Sequence, residues 1–383
     1  MGEIRQFLGT IMAKHFGFNQ PTTRRAIGAA GHLTTLGKLT LGALTLATLS
    51  LAACQRPATT DQAAVSHAPN AAASGTGHAD KPAKKIAISA IVEHPSLDAI
   101  RQGVIDELAA QGYQVGQNLS VQFQSAQGNT ATAGQIAKQF AADNPDAIVA
   151  ISTPTAQAIA AATRTIPIVY TAVSDPVAAK LIDAHNVPTQ SNITGLSSQL
   201  PLAPQLDFIQ NIVPNLHTVG YVYSSGEINS VALGKRLQTE LPARHLQLLQ
   251  IPANRATDIA MATNSLVGKA QVIYTSMDNN VASAFESMVQ VANQAKLPIV
   301  ASDEFSVRRG AAAALGVNDY NFGRKTGQMV VKILDGTPVQ TVTPAVMDDL
   351  TMYVSPKHAA AQGISLPPEL LQDAINVDTT PAH

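Results

Sequence analysis

The chain of 383 residues has no tryptophan and a single cysteine. One sulfur can form neither an internal disulfide nor a thiolate metal cluster. Charge is scarce: 13% of residues are charged against 45% hydrophobic. A chain disordered throughout needs the opposite balance, so disorder as the main state is excluded. Basic charge is not in excess either. Lys and Arg number 25 against 26 Asp and Glu, a net charge of −1, and a nucleic-acid partner is not expected without a basic surface. Catalytic signatures are also missing. There is no G-x-S-x-G elbow and no H-E-x-x-H, and Gly268-Lys269 is followed by Ala270 and not by the Ser or Thr of a phosphate loop. A hydrolase therefore loses its main support although Ser, His and Asp are all present, and no catalytic residue, cofactor or metal is implied.

Long apolar runs are lacking as well. The uncharged segment Leu39 to Ala53 has 15 residues. A membrane-spanning helix needs about 20, whereas the core of a signal peptide needs about 7–15. Before it stand Arg5, Lys14, Arg24, Arg25 and Lys38 against Glu3 alone. With 25 basic and 26 acidic residues in all, the rest of the chain carries 20 against 25, a net of −5. Leu51-Ala52-Ala53-Cys54 closes the segment and resembles a bacterial lipobox. That resemblance implies cleavage before Cys54 and a diacylglyceryl group on its thiol, and several acyl chains on one residue give stable anchoring. Thr23-Arg24-Arg25 is read as ordinary amino-terminal charge, and Met12 is a second candidate start. Residues 54–83 are rich in Ala, Thr, Ser, Pro and Gly and read as a flexible tether in which His67 and His78 are solvated. The expected location is the cell envelope outside the cytoplasm. Gln55 stands where an Asp would retain a lipoprotein at the inner membrane, which leaves the membrane itself open.

From Lys84 onward apolar strands alternate with helix-length segments. Ile86 to Val92, Leu119 to Phe123, Ala147 to Ile151 and Ile166 to Tyr170 read as strands. Leu97, Ile100, Val104 and Leu108 recur at spacings of three and four, the mark of an amphipathic helix. A second series of strands begins at Val219, Leu246, Val272 and Pro298, and Ser191 to Leu196 between the two series reads as a crossover. The fold class is α/β: two doubly wound parallel-sheet lobes joined by crossover hinges. The first lobe is expected to hold 84–196 with about 310–340, the second 197–309 with about 341–376.

In open parallel sheets ligands bind beyond the carboxyl ends of the strands. The loops there carry His94, Ser152-Thr153, Ser174-Asp175, Glu227, Asp278 and Asp303. Hydroxyls and free N–H groups at helix starts suit a carboxylate, and the acids suit an ammonium group, so together they suit a zwitterion. The plain alternative for Ser152, Ser174, Asp175 and Asp278 is helix capping.

Several stretches occur in the order seen in one family. They include Val92-Glu93-His94-Pro95-Ser96, Ser152-Thr153-Pro154-Thr155, Thr171-Ala172-Val173-Ser174-Asp175-Pro176, Asn192-Ile193-Thr194-Gly195, Asp278-Asn279-Asn280 and Ser302-Asp303-Glu304. Over about residues 84–365 the chain resembles the bacterial ABC-transporter substrate-binding lipoproteins that include aromatic amino-acid (tryptophan) binders. The resemblance implies a type I periplasmic-binding fold whose two lobes close on a small ligand, and an ABC permease with its ATPase as partners of a monomer. It implies that Thr153, Ala172 and Ser174 hold the ligand's α-carboxylate, that Asp278 or else Asp303 takes the ammonium, and that His94 and Glu227 flank the side-chain pocket. Glu227-Ile228-Asn229 departs from the family in its central residue, where a smaller one is expected. A sensor role, presenting ligand to a receptor instead of a permease, stays open.

Overall fold

The computed structural model describes residues 81–381. The expected signal peptide, Cys54 and the tether up to residue 80 lie outside the described residues.

The first run is β1 (Lys84–Ala90), α1 (Pro95–Ala110), β2 (Leu119–Ser125), α2 (Thr130–Asp143), β3 (Ala147–Ile151), α3 (Thr153–Ala162), β4 (Ile168–Val173) and β5 (Ile193–Ser197). The second is α4 (Leu202–Ile212), β6 (Thr218–Tyr223), α5 (Ile228–Glu240), β7 (Gln247–Pro252), α6 (Ile259–Asn264), β8 (Val272–Tyr274), α7 (Asn279–Ser283), α8 (Phe285–Ala295), β9 (Ile299–Asp303), α9 (Glu304–Arg308) and β10 (Ala313–Val317). The chain ends with α10 (Asp319–Leu334), β11 (Ala345–Val346), β12 (Thr351–Val354), α11 (Pro356–Ala361), α12 (Pro368–Asp373) and β13 (Ile375–Asn376).

Two sheets result. The first has the order β11-β5-β4-β3-β1-β2 and the second β13-β12-β10-β9-β8-β6-β7. All pairings are parallel except β10 with β12. Strands such as Ala147–Ile151 and Ile168–Val173 are buried along their whole length, which explains their continuous apolar runs where a half-exposed strand would alternate.

The chain crosses between lobes after Ser197, after Val317 and after Val346. Three segments differ from the sequence reading. Residues 310–317, expected with the first lobe, supply β10 of the second sheet, and β11 near 345 returns to the first. Ile193–Ser197, read as a crossover, is an inner strand of the first sheet. Gly195 permits it: a Cβ there would meet the Tyr170 carbonyl oxygen at 2.2 Å and the Tyr170 ring at 2.5 Å. A glycine in a polar stretch looks like a break in sequence and acts here as a contact point.

One helix pair shapes the cleft. α1 and α10 run parallel with their backbones nearly touching. A Cβ on Gly323 would lie 2.1 Å from the Ile100 carbonyl oxygen, and one on Gly103 would lie 2.2 Å from that of Tyr320. Arg324 Nε donates to buried Glu107 Oε2 at 2.6 Å beside this seam. The seam brings the amino ends of α1 and α10 together at the cleft between the sheets.

Candidate functional site

Near the carboxyl ends of the strands several non-glycine residues have positive φ, among them Ser152 (φ 85°) after β3, Ala172 (φ 53°) within the end of β4 and Met277 (φ 49°) after β8. Each such residue costs about 1–3 kcal/mol and persists only where its surroundings enforce it. Ala172 and Met277 border the cleft.

An inner chamber lies between the lobes, with about 660 Å³ of atom-free space including its mouth. Its apolar lining is Leu97, Ile100, Phe285, Val317 and Phe322. Polar groups share the lining: His94, Ser96, Asp278, Asp303, Arg309 and Asp319, with Ser198 and Ala172, and the Arg309 guanidinium lies 5.5 Å from the centre of the Phe285 ring. A smaller polar recess adjoins it at Ser198 and is lined by Ser174, Asn229, Arg236 and Ser276. The hydroxyls of Ser174 and Ser198 and the Oδ1 of Asn229 are buried without a hydrogen-bond partner among the described residues. Buried polar groups are nearly always paired, so such atoms mark a place that a ligand or water completes.

An outer chamber of about 950 Å³ lies on the other side of the 224–227 and 277–280 loops. It is lined by Ile91, Thr130, Ser225, Gly226, Glu227 and Asn280.

The candidate residues are thus divided. His94, Ala172, Asp278 and Asp303 meet at the inner chamber, and Ser174 sits in the adjoining recess. Glu227 faces the outer chamber instead. Thr153 is buried in the first turn of α3 and lines neither chamber, Pro154 being the residue of that turn that reaches the outer one.

The two acids expected to hold an ammonium already have partners. Asp278 accepts from Ser224 N (2.6 Å), Ser224 Oγ (2.8 Å) and Val281 N (2.9 Å), so it caps α7 and ties two loops together. Asp303 accepts from Ser306 N (2.7 Å), Ser306 Oγ (2.6 Å) and Ser96 Oγ (3.3 Å), capping α9. The acid that sequence reasoning passed over is Asp319. It is buried, it lines the inner chamber, and its Oδ2 has no partner among the described residues. Asn318 caps α10 through Asn321 N at 2.8 Å, which frees Asp319 from that task. An Asn directly before an acid at the end of an apolar strand is the signal that could have found it.

Burial shapes the site's electrostatics. It drives the His94 imidazole down to about 4, helped by the Arg309 charge and opposed by a hydrogen bond with Asn279, so the ring is neutral at physiological pH. Burial, then the Asp278 charge, lifts Glu227 to about 7 against its hydrogen bonds from Asn279 and Asn229. Asp303 is raised mainly by burial, and Asp319 is raised well above the carboxylate range by burial and by the Asp303 charge. Among the described residues no group of three His, Cys, Asp or Glu is arranged for a metal ion. A neutral ring, an apolar wall and a carboxyl without a partner suit an amine-bearing ligand with a large apolar side chain.

Residues 85–378 match the family described as ABC transporter substrate binding protein. The chain belongs to this family. Its architecture is that of the type I periplasmic binding proteins. The chain is 35% identical over 275 residues to a tyrosine-binding protein of Clostridioides difficile, covering 72% of this chain and 79% of that protein. A domain from Streptococcus pneumoniae solved in complex with L-Trp is 30% identical with a TM-score of 0.72, covering 77% of this chain and 99% of that one. A ligand-free, open substrate-binding protein with adhesive properties from Clostridium difficile is 36% identical with a TM-score of 0.60, covering 78% of this chain and 100% of that one. The structural likeness is greater to the tryptophan complex although the open protein is the more alike in sequence.

Proposed function

We propose that this chain captures an aromatic amino acid between its lobes, as the lipid-anchored, extracytoplasmic component of an ABC importer, and passes it to a permease driven by an ATPase. The observation that carries the reading is the mixed lining of the inner chamber, apolar groups beside polar ones. Its apolar lining, Leu97, Ile100, Phe285, Val317 and Phe322, suits an aromatic ring, and among its polar groups one carboxyl, Asp319, and the hydroxyls of Ser198 and of Ser174 in the adjoining recess are without partners among the described residues. A zwitterion with a large ring meets both demands, with its carboxylate toward Ala172, Ser174 and Ser198 and its ammonium toward the acids. The relatives that bind tyrosine and L-Trp support this choice of ligand. The anchor rests on the basic start, the 15-residue uncharged run and Leu51-Ala52-Ala53-Cys54.

The test uses the missing tryptophan. Because the protein has none, all indole emission in the sample comes from the added L-tryptophan, and a shift of it reports binding. Unfolding and refolding strips any copurified ligand. Titration should then give a saturable blue shift of the indole emission and a raised melting temperature, reversed by excess L-tyrosine. A shift with another solute but not with aromatic amino acids overturns the ligand. No response to any solute overturns the binding role.

A further inference from the structure

Taking the inner chamber as an amine-binding site, the carboxyls in and beside it can be told apart by what each already holds: Asp278 is occupied by Ser224 and Val281. Asp303 is occupied by Ser306 and Ser96. Glu304 accepts from Arg308 Nε at 2.8 Å and from Asn318 Nδ2 at 3.1 Å. Asp319 Oδ2 is left with nothing among the described residues.

No cation is among the groups that act on Asp319, and the two nearby arginines are engaged elsewhere. Arg309 grips Glu286 through two bonds of 2.7 Å and the Ala282 carbonyl at 2.8 Å. Arg308 is engaged by Glu304 and by the carbonyls of Thr380 and Val377. From α1, His94 is neutral and Ser96 offers only a hydroxyl. From β12, the Tyr353 phenol stays protonated, pushed up to about 12 by burial and by the Glu304 charge. Asp303 and Glu304 repel a negative charge on Asp319, and burial disfavours it further. Only Ser96 and the amino end of α10 favour the charged form, and weakly. The counter-ion that the protein can supply is a proton.

We propose that the ligand's ammonium group replaces this proton, so that Asp319 is the ammonium-binding residue and each amino acid captured releases one proton to solvent. The O–H bond of Asp319 breaks, the proton passes to water or buffer, and the ligand keeps its three N–H bonds, one of them now donated to the carboxylate. Charge balances as one proton out for each zwitterion in. Ligand and proton then compete for one site. Apparent affinity should rise with pH by up to about tenfold per unit while free Asp319 is protonated, and level off above that range. Analogues without the amine, such as indole-3-propionate, cannot discharge the carboxyl and should bind without proton release.

The experiment is calorimetric titration of the purified, ligand-stripped protein with L-tryptophan near pH 7, in phosphate and in Tris, whose ionisation heats differ greatly. The expected result is an apparent enthalpy that differs between buffers by about one proton's ionisation heat. Asp319→Asn should bind about 10- to 100-fold more weakly and lose the buffer dependence. Glu227, which also titrates near neutrality, is controlled by Glu227→Gln, which should keep the buffer dependence. Binding with equal heats in both buffers overturns proton exchange and leaves the amino-acid reading intact. A buffer dependence that survives in Asp319→Asn, or vanishes in Glu227→Gln, overturns the assignment to Asp319. Absence of binding by any amino acid overturns both readings. Should Asp319→Asn fail to fold, the affinity of Glu227→Gln between about pH 5.5 and 8 decides: a rise with pH supports the exchange and a flat profile overturns it.

Discussion

The inner and outer chambers lie on either side of the same two loops and differ in how their polar groups are spent. In the outer, larger chamber the groups bond to one another. Glu227 accepts from Asn279 Nδ2 at 2.7 Å and from Asn280 N at 3.2 Å, Ser225 Oγ donates to Asn254 at 2.7 Å, and Asn280 Nδ2 donates to the Ala253 carbonyl at 3.0 Å. In the inner chamber and its recess Asp319, Ser174, Ser198 and Asn229 each keep an unused atom beside an apolar wall. Volume favours the outer chamber and unmet bonding favours the inner one. Unmet bonding is the better guide, because a buried polar atom without a partner costs about 1–3 kcal/mol, which a ligand can recover.

Glycine substitutions should separate the chambers most strongly. Gly323→Ala drives a methyl group into the Ile100 carbonyl at the seam that supports the inner chamber. A loss of about 1–3 kcal/mol of stability is expected by urea denaturation, with weakened ligand binding. Gly226→Ala, beside the outer chamber, meets nothing within 4 Å and should stay within about 0.5 kcal/mol of the parent with binding intact.

A pair of serines gives a smaller contrast of opposite sign. Ser198→Ala removes a hydroxyl without a partner. Stability should hold or rise while ligand affinity falls by about 0.5–1.5 kcal/mol. Ser225→Ala removes an exposed bond to Asn254, so affinity should hold while stability falls slightly; thermal melts and titrations of both variants read this out.

Glu227→Gln should have the smallest effect on affinity, and its mark is a pH dependence. The folded protein holds the Glu227 carboxyl at about 7 against an ordinary value of 4.5. Its contribution to stability is therefore full below about pH 4.5 and lost as pH rises through 7. The Gln variant should lack that decline in denaturation curves taken across this window. His94 acts in the reverse direction: lowered from 6.5 to about 4, it contributes stability above pH 6.5 that is lost as pH falls through 4.

Much of the fold was legible because buried parallel strands are continuous apolar runs and the helices between them keep a spacing of three and four. Leu97 to Leu108 and Ala147 to Ile151 are clear instances. The strand Ile193–Ser197 was not, since its Asn, Thr and Gly suit a loop and only the contact of Gly195 with Tyr170 makes them suit a strand. The loops that form the site were legible from strand ends. The use of each acid within them was not. Asp278, Asp303 and Asp319 all follow apolar strands, and sequence carries no record of which carboxylate oxygens are taken by capping bonds. Glu227 went to the outer chamber for the same reason, because bonds to Asn279 and Asn280 decide its direction.

The most direct test of the contrast between the chambers is a crystal structure of the protein grown with L-tryptophan. The expected density is an indole among Leu97, Ile100, Phe285 and Phe322, with the ligand nitrogen at hydrogen-bonding distance from Asp319. A ligand found in the outer chamber, against Glu227 and Asn280, would contradict the assignment.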